Sequence, residues 1–243
     1  MIYSSRQNPK VKEIASLKDK KNRQKLGLYL AQGIKSVSEA IAMQKEIVKL
    51  VVSQDNENLF SNFNGEIIVV SNDVFNYLSD EVSPQGVMAI IKIPDLTPKA
   101  PTSIPLILDG VSDPGNLGTI IRSANAFGFK DIYLINCVDA FSNKVVKASM
   151  SGIFSVNIYN SNYDDIQNLL NDYEIVVADV NGEDINGFIP PKKFAIVMGN
   201  EANGVSNNIK SVASRFITIP MQKECESLNV AVATAIIMFK FYK

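Results

Sequence analysis

Residues Ile104 to Gly128, IPLILDGVSDPGNLGTIIRSANAFG, decide the fold class. An apolar run, Leu106-Ile107-Leu108, turns at Asp109-Gly110 and again at Asp113-Pro114-Gly115-Asn116. A helical pattern then runs from Leu117 to Phe127 and stops at Gly128. This is a strand, a polar loop and a helix. Asn116 stands where a helix N-cap belongs, and Gly118 lets backbone approach closely. Arg122 is the one charge in a small, apolar helix, and such a charge needs a partner or a task. A carboxylate of the same chain and a bound ligand are both open as that partner.

Working outward, short strand and helix patterns alternate along the chain. Ahead of the stretch, a helix is expected over Asn8 to about Lys25, with Val11, Ile14, Ala15 and Leu17 as its apolar stripe. Strands follow at Leu28 to Leu30, Lys49 to Ser53, Glu66 to Val70 and Val87 to Ile93. Helices are expected over Gly33 to Met43, Asn56 to Phe63, and from an Asn72 cap through Val82. Pro94 to Pro105, PDLTPKAPTSIP, holds four of the ten prolines and reads as a linker. Beyond the stretch, strands are expected at Asp131 to Ile135, Ser155 to Tyr159, Glu174 to Ala178, Phe194 to Met198 and Phe216 to Ile219. The last helix runs from about Ser227 to Tyr242, with Lys240 and Lys243 at its carboxyl end. The reading is an α/β protein: a small unit over residues 1–93, a linker over 94–105, and a second unit over 106–243 with a mainly parallel sheet covered by helices on both faces.

Composition narrows the chemistry. With 243 residues and 46% hydrophobic content the chain is an ordinary globular sequence. There is no signal-like start and no apolar stretch of the ~20 residues a spanning helix needs, so a cytosolic protein is expected. It has no histidine, and its two cysteines, Cys137 and Cys225, lie far apart, so no metal is expected and a histidine base is excluded. The net charge is -1, yet eight of the 24 basic residues fall between Arg6 and Lys25, against only Glu13 and Asp19. Arg6, Lys10, Lys18, Lys20, Lys21 and Arg23 are the candidate phosphate-contacting residues, those that would bind a nucleic acid. A phosphate-contacting surface and a merely solvated helix face both fit that run.

Two further segments carry polar groups suited to a site. Met198-Gly199-Asn200-Glu201-Ala202-Asn203-Gly204-Val205-Ser206 follows an apolar strand, and its glycines permit a tight loop with open backbone. Ile217-Thr218-Ile219-Pro220-Met221 leads to Glu226-Ser227-Leu228-Asn229, which places Ser227 and Asn229 at a helix start. Ile219, Met221 and Leu228 can wall an apolar slot. Neither segment supplies the G-x-G-x-x-G fingerprint of a Rossmann dinucleotide site.

Together DPGNLGTIIRSANAFG, GNEANGVS and IPMQKECESLNVAVA, in that order, resemble the SpoU family of RNA ribose 2′-O-methyltransferases of the knotted SPOUT superfamily. The opening SSRQNPKVKEIASLKDKKNRQKLGLYLAQGIKSVSEAI is similar to the ribosomal-protein-like substrate-binding domain that many members carry. The resemblance implies a deep trefoil knot, S-adenosylmethionine as cofactor, a homodimer formed through the second domain, and RNA, tilted toward ribosomal RNA, as substrate. It implies catalytic roles for Asn116, Arg122, Glu201, Ser227 and Asn229, with Arg122 reaching the site of the partner protomer. It implies cofactor contacts from Met198, Gly199, Asn200, Gly204, Ile219, Met221 and Leu228. A guanidinium is a poor base, so Arg122 is expected to clamp a phosphate and stabilise developing oxyanion charge. The chain departs from the family at Lys223, Ala202, Gln32 and Ser151-Gly152. An RNA-binding relative without catalysis and a transfer RNA methyltransferase are the alternative readings.

Overall fold

The computed structural model describes residues 1–242, which form two compact units. The first holds Met1–Pro94 together with Phe141–Phe154, and the second holds Asp95–Ala140 and the chain from Ser155 onward. The first unit therefore takes in a segment that lies, by sequence, inside the second.

The first unit contains β1 (Ile2–Tyr3), α1 (Pro9–Ser16), α2 (Lys20–Leu26), β2 (Leu28–Gln32), α3 (Ile34–Ala42), β3 (Ile47–Ser53), β4 (Glu66–Val70), α4 (Asn72–Leu78) and β5 (Val87–Lys92). The single helix expected over Asn8 to Lys25 is two helices. The Asp19 carboxylate accepts from Lys21 N–H at 2.7 Å and Asn22 N–H at 3.4 Å and starts α2, and Gly27 at φ +66° ends it. Ser71, rather than Asn72, caps α4, which stops at Leu78, short of Val82. Only a short 3-10 turn, Gln54–Asn56, stands near the helix expected over Asn56 to Phe63. The strands lie in the order β1-β4-β3-β5-β2, with β1, β4 and β3 parallel and β5 antiparallel to both its neighbours. Val11, Ile14 and Leu17 of the α1 stripe and Val74, Phe75 and Leu78 of α4 share one core with Val51, Ile68 and Met88 of the sheet. Gln32 accepts from the Ser79 hydroxyl at 2.7 Å, a bond its neutral amide makes in the place of the family's glutamate.

The rest of the chain supplies β6 (Leu106–Asp109), α5 (Pro114–Ala126), β7 (Asp131–Ile135), α6 (Asn143–Ala148), β8 (Asn157–Asn160), α7 (Tyr163–Leu169), β9 (Glu174–Asp184), β10 (Phe194–Met198), α8 (Asn207–Lys210), β11 (Arg215–Thr218) and α9 (Val230–Phe241). Lys243, expected with Lys240 at the end of α9, lies outside the described residues. The six strands are all parallel, in the order β11-β9-β10-β6-β7-β8. Every residue of β6, β7 and β10 is buried, as a parallel sheet covered on both faces requires. The pairing of β11 with β9 jumps from Val177 to Glu183, so Ala178 to Gly182 bulge out of register. Gly182 lies so close to Ile217 that a Cβ there would stand 2.4 Å from its carbonyl carbon.

α6 belongs to the first unit, where Phe141 stacks on Tyr29 at 4.9 Å and Lys147 pairs with Glu81 at 3.1 Å. The turn after α6 holds Met150 and Ser151 at φ +47° and +67°, and the second is a place where the family's glycine would sit without strain.

The proline-rich segment is fastened to the second unit along its length. Asn160 N–H donates to Leu96 O, Tyr133 OH to Lys99 O, and Ile196 N–H to Pro105 O. The buried Asp131 carboxylate accepts from the backbone N–H and hydroxyl of both Thr102 and Ser103, and from Asn157. Burial alone would raise the Asp131 carboxyl, but the bonds from Asn157, Thr102 and Ser103 outweigh it and hold the group below the usual carboxylate range.

Candidate functional site

The second unit's chain builds β6, β7 and β8 in one direction from the centre, then returns to add β10, β9 and β11 on the other side. The switch point lies between β6 and β10, and the carboxyl ends of strands at such a point are where open α/β sheets bind ligands. The loop after β6 and the loop after β10 meet there.

The β6 loop turns at Gly110, φ +82°, and delivers the chain to α5. The N-cap of α5 is Asp113, whose carboxylate accepts from Asn116 N–H at 2.8 Å, and Pro114 follows at the first helical position. Asn116 is thus inside the first turn and is not the cap. Freed from capping, its side chain joins two distant segments. Its amide nitrogen donates to Glu201 Oε1 at 2.7 Å, and its amide oxygen accepts from Asn229 Nδ2 at 2.9 Å. Asn229 is the N-cap of α9, accepting from Ala231 N–H and Val232 N–H through its own oxygen. The cap expected at Ser227 is therefore two residues too early.

The β10 loop is held by Asn200. Its backbone exchanges two 2.9 Å hydrogen bonds with Gly204, its side-chain oxygen accepts from Ala202 N–H and Asn203 N–H, and its side-chain nitrogen donates to Gly110 O at 2.8 Å. The turn closes so tightly that a Cβ on Gly199 would meet Gly204 at 2.3 Å. Ala202 is not in the left-handed region, so alanine replaces the family's glycine there without backbone strain. Ser206 N–H donates to the buried Asp109 carboxylate at 2.8 Å, and Tyr163 OH donates to the other oxygen at 3.3 Å. Burial pushes the neighbouring Cys137 thiol up to about 11, so it is a neutral neighbour.

Among the sequence-predicted residues, then, Asn116, Glu201 and Asn229 form one hydrogen-bonded group, with Asn200, Gly199 and Gly204 shaping the loop beside it. Met198 is buried at the end of β10. Ile219, Met221 and Leu228 are half-buried, leaving apolar surface open, and Lys223 and Ser227 are exposed. Arg122 is exposed on α5 and pairs with no carboxylate among the described residues. That removes the cost of burial and the internal carboxylate as its partner. The sequence reading took Asp109 and Asp113 only as turn residues and did not single out Tyr163. Asp113 had a local signal, an acidic residue directly before a proline at a helix start. Asp109 and Tyr163 had none.

The six candidate RNA-binding residues divide in two. Arg23 is buried, and its guanidinium donates to Leu17 O and Lys18 O at 2.8 Å each. Lys18 caps the end of α4 through Tyr77 O and Ser79 O and pairs with Asp80 at 2.9 Å. Lys10 pairs with Glu66 at 3.1 Å, which raises the lysine and lowers the glutamate. Lys20 and Lys21 are exposed on α2, and Arg6 lies 5.0 Å from the centre of the exposed Tyr77 ring.

Residues 103–239 match the SpoU rRNA Methylase family and residues 8–89 the MRM3-like substrate binding domain. The 23S rRNA (guanosine(2553)-2′-O)-methyltransferase RlmP of Bacillus subtilis is 30% identical over 97% of this chain and 96% of its own length. A crystal structure of an AdoMet-bound rRNA methyltransferase from Sinorhizobium meliloti superposes with a TM-score of 0.87 at 30% identity, covering 99% of this chain and 96% of that one. The SpoU methyltransferase AviRb of Streptomyces viridochromogenes, 22% identical, shares the fold with a TM-score of 0.88 over 96% of this chain and 97% of its own.

Proposed function

Because the chain belongs to the SpoU rRNA methylase family, we propose that it transfers a methyl group from S-adenosylmethionine to the 2′-hydroxyl of a ribose in ribosomal RNA. The observation that carries this reading is the hydrogen-bonded group Asn229–Asn116–Glu201, drawn from three segments to the switch point of the parallel sheet. Similarity to the Bacillus subtilis enzyme along nearly the whole chain supports ribosomal RNA as the substrate class.

The loops fit the methyl donor. Ile219, Met221 and Leu228 offer partly open apolar surface for an adenine ring, and Met198 to Gly204 offers backbone unscreened by side chains at its two glycines. When bound, S-adenosylmethionine supplies an activated methyl on a positively charged sulfur. The protein's part is alignment and electrostatics. Asn116, held at both ends of its amide, orients the ribose side of the site with Glu201 and Asn229. Ser227 adds a hydroxyl just ahead of α9. Arg122 clamps a phosphate of the RNA and stabilises the negative charge that grows on the attacking oxygen. RNA is gripped in the first unit by Arg6, Lys20 and Lys21.

The active form is a homodimer built on α9. Val232, Ile236, Phe239 and Tyr242 recur at helical spacing and are exposed, Phe239 at 67%. An apolar stripe of that kind calls for a partner. Arg122 lies six residues beyond Asn116, about 9 Å along α5, and makes no hydrogen bond or ion pair with Asn116, Glu201 or Asn229 among the described residues. That separation supports its delivery to the site of the second protomer. The trefoil knot belongs to the same reading, supported by the return of the chain from the edge strand β11 to α5 and by the close stacking of Gly182 on Ile217.

Mapping ribose 2′-O-methylation across total RNA with and without the gene tests the reading. One ribosomal RNA position is expected to lose its methyl and regain it when purified protein and S-adenosylmethionine are added. An unchanged ribosomal RNA map would overturn it.

A further inference from the structure

Asp109 ends β6 and is 5% exposed, at the switch point between the two site loops. Its oxygens accept one backbone N–H, from Ser206, and one hydroxyl, from Tyr163. No lysine or arginine pairs with it among the described residues. A buried carboxylate served by two neutral donors is a poorly compensated charge, because burial strips its water without returning an opposite charge. Ser206 N–H can only donate, so the Asp109 oxygen it meets is an acceptor. Ser206 closes the loop that begins at Gly199, and Asn200 of that loop is tied to Gly110, the residue after Asp109. The uncompensated charge therefore sits beneath the loop that offers its open backbone to the methyl donor.

The two forms of that donor differ in charge. Before transfer its sulfur is a cation, and after transfer it is a neutral thioether. On the basis of the methyltransferase reading, we propose that Asp109 is a specificity-determining residue whose buried charge selects the cationic methyl donor over the neutral demethylated product. A brace for the loop would act on both ligands equally. A charge acts on one of them.

The test is calorimetry on the full chain without RNA, titrating S-adenosylmethionine and S-adenosylhomocysteine separately. Asp109→Asn keeps the shape, leaving an oxygen for Ser206 N–H and an amide for the Tyr163 oxygen. It is expected to weaken S-adenosylmethionine by about three- to tenfold and to leave S-adenosylhomocysteine within about twofold. Equal weakening of both, or no change in either, overturns the proposal. Asp109→Ser, smaller and likewise neutral, is the second variant and is expected to lose the same preference for the cationic ligand. If Asp109→Asn does not fold, Asp109→Ser decides alone, and an unchanged preference overturns the proposal. A wild-type protein that binds neither ligand overturns the methyltransferase reading itself, and this result is distinct from a protein that binds both without discrimination by Asp109.

Discussion

Asn116 donates to Glu201 across 2.7 Å, joining the first turn of α5 to a loop 85 residues later, while its oxygen accepts from Asn229. The amide is thereby fixed in one orientation, since neither partner would tolerate a flip. Asn116→Ala would leave Glu201 and Asn229 aligned to nothing. Methyl transfer is expected to fall by about 10²-fold, the loss typical of a misplaced reacting group. Stability should change by no more than about 1 kcal/mol, because these side chains reach solvent. Single-turnover rates and urea unfolding measure the two. A fall in stability that accounts for the lost rate would defeat the positioning role.

Arg122 is exposed and makes no ion pair among the described residues, so its removal costs the fold nothing. Arg122→Lys keeps the charge and loses the planar fork that grips phosphate through two bonds. The substitution is expected to preserve the melting temperature and S-adenosylmethionine affinity while methyl transfer drops by about 10²-fold or more. Turnover near wild type would remove the clamp from the mechanism.

The sequence made the second unit's sheet legible because its inner strands β6, β7 and β10 are buried on both faces. Leu106 to Leu108, Asp131 to Ile135 and Phe194 to Met198 read as near-continuous apolar runs for that reason. Helix starts were less legible. Asp113, Ser71 and Asn229 cap where Asn116, Asn72 and Ser227 were expected. In each case the expected and actual caps are both polar and one to three residues apart, and only the backbone geometry decides which oxygen reaches the free amides. The proline segment reads as a linker, and the residue that fastens it, Asp131, lies 28 and 29 residues further along, outside any local pattern. The Asp109–Ser206 hydrogen bond spans 97 residues and left no local pattern at all.

The division of the basic residues predicts separable effects. Neutralising Lys20 and Lys21 should weaken RNA binding and flatten its salt dependence by about 0.7 in log–log slope for each phosphate no longer neutralised. Arg23→Ala should act on the fold instead, costing about 2–3 kcal/mol by stripping Leu17 O and Lys18 O of a charged donor. Filter binding at several salt concentrations, with urea unfolding alongside, distinguishes them. An unchanged salt slope in the lysine variants would make α2 a solvated face only.

Asp131 ties acid stability to the strap it holds. Its folded value is depressed below the unfolded value of about 3.9. A group lowered on folding stabilises the protein fully above its unfolded value, and that stabilisation is lost as pH falls through the folded one. Asp80, Asp172, Asp179 and Glu66 are lowered too, so stability should be level near neutrality and decline on acidification below about pH 4. Asp131→Ala should cost about 2–4 kcal/mol near neutrality, leaving the donors of Thr102, Ser103 and Asn157 without an acceptor. It should also flatten the acid limb of the curve. Urea unfolding followed across the acid range checks both, and an unaltered acid limb would move the dependence to the other carboxylates.

The proposed dimer has two consequences that one set of proteins measures. Phe239 is exposed on α9 and meets Phe127 edge-on at 5.8 Å, so Phe239→Asp places a charge on the apolar stripe without emptying the core. Sedimentation is expected to show a dimer for the wild type and a monomer for this variant, with methyl transfer lost in the monomer. If Arg122 serves the neighbouring site, a chain carrying Arg122→Ala and a chain carrying Asn229→Ala should rescue each other when co-expressed. In the mixed dimer one site takes its arginine from the Asn229→Ala chain and its Asn116, Glu201 and Asn229 from the other, and is complete. Random pairing makes half the dimers mixed, each with one working site of two, so about a quarter of wild-type activity should return. If Arg122 acts within its own chain, every site in every pairing lacks one residue, and no activity returns.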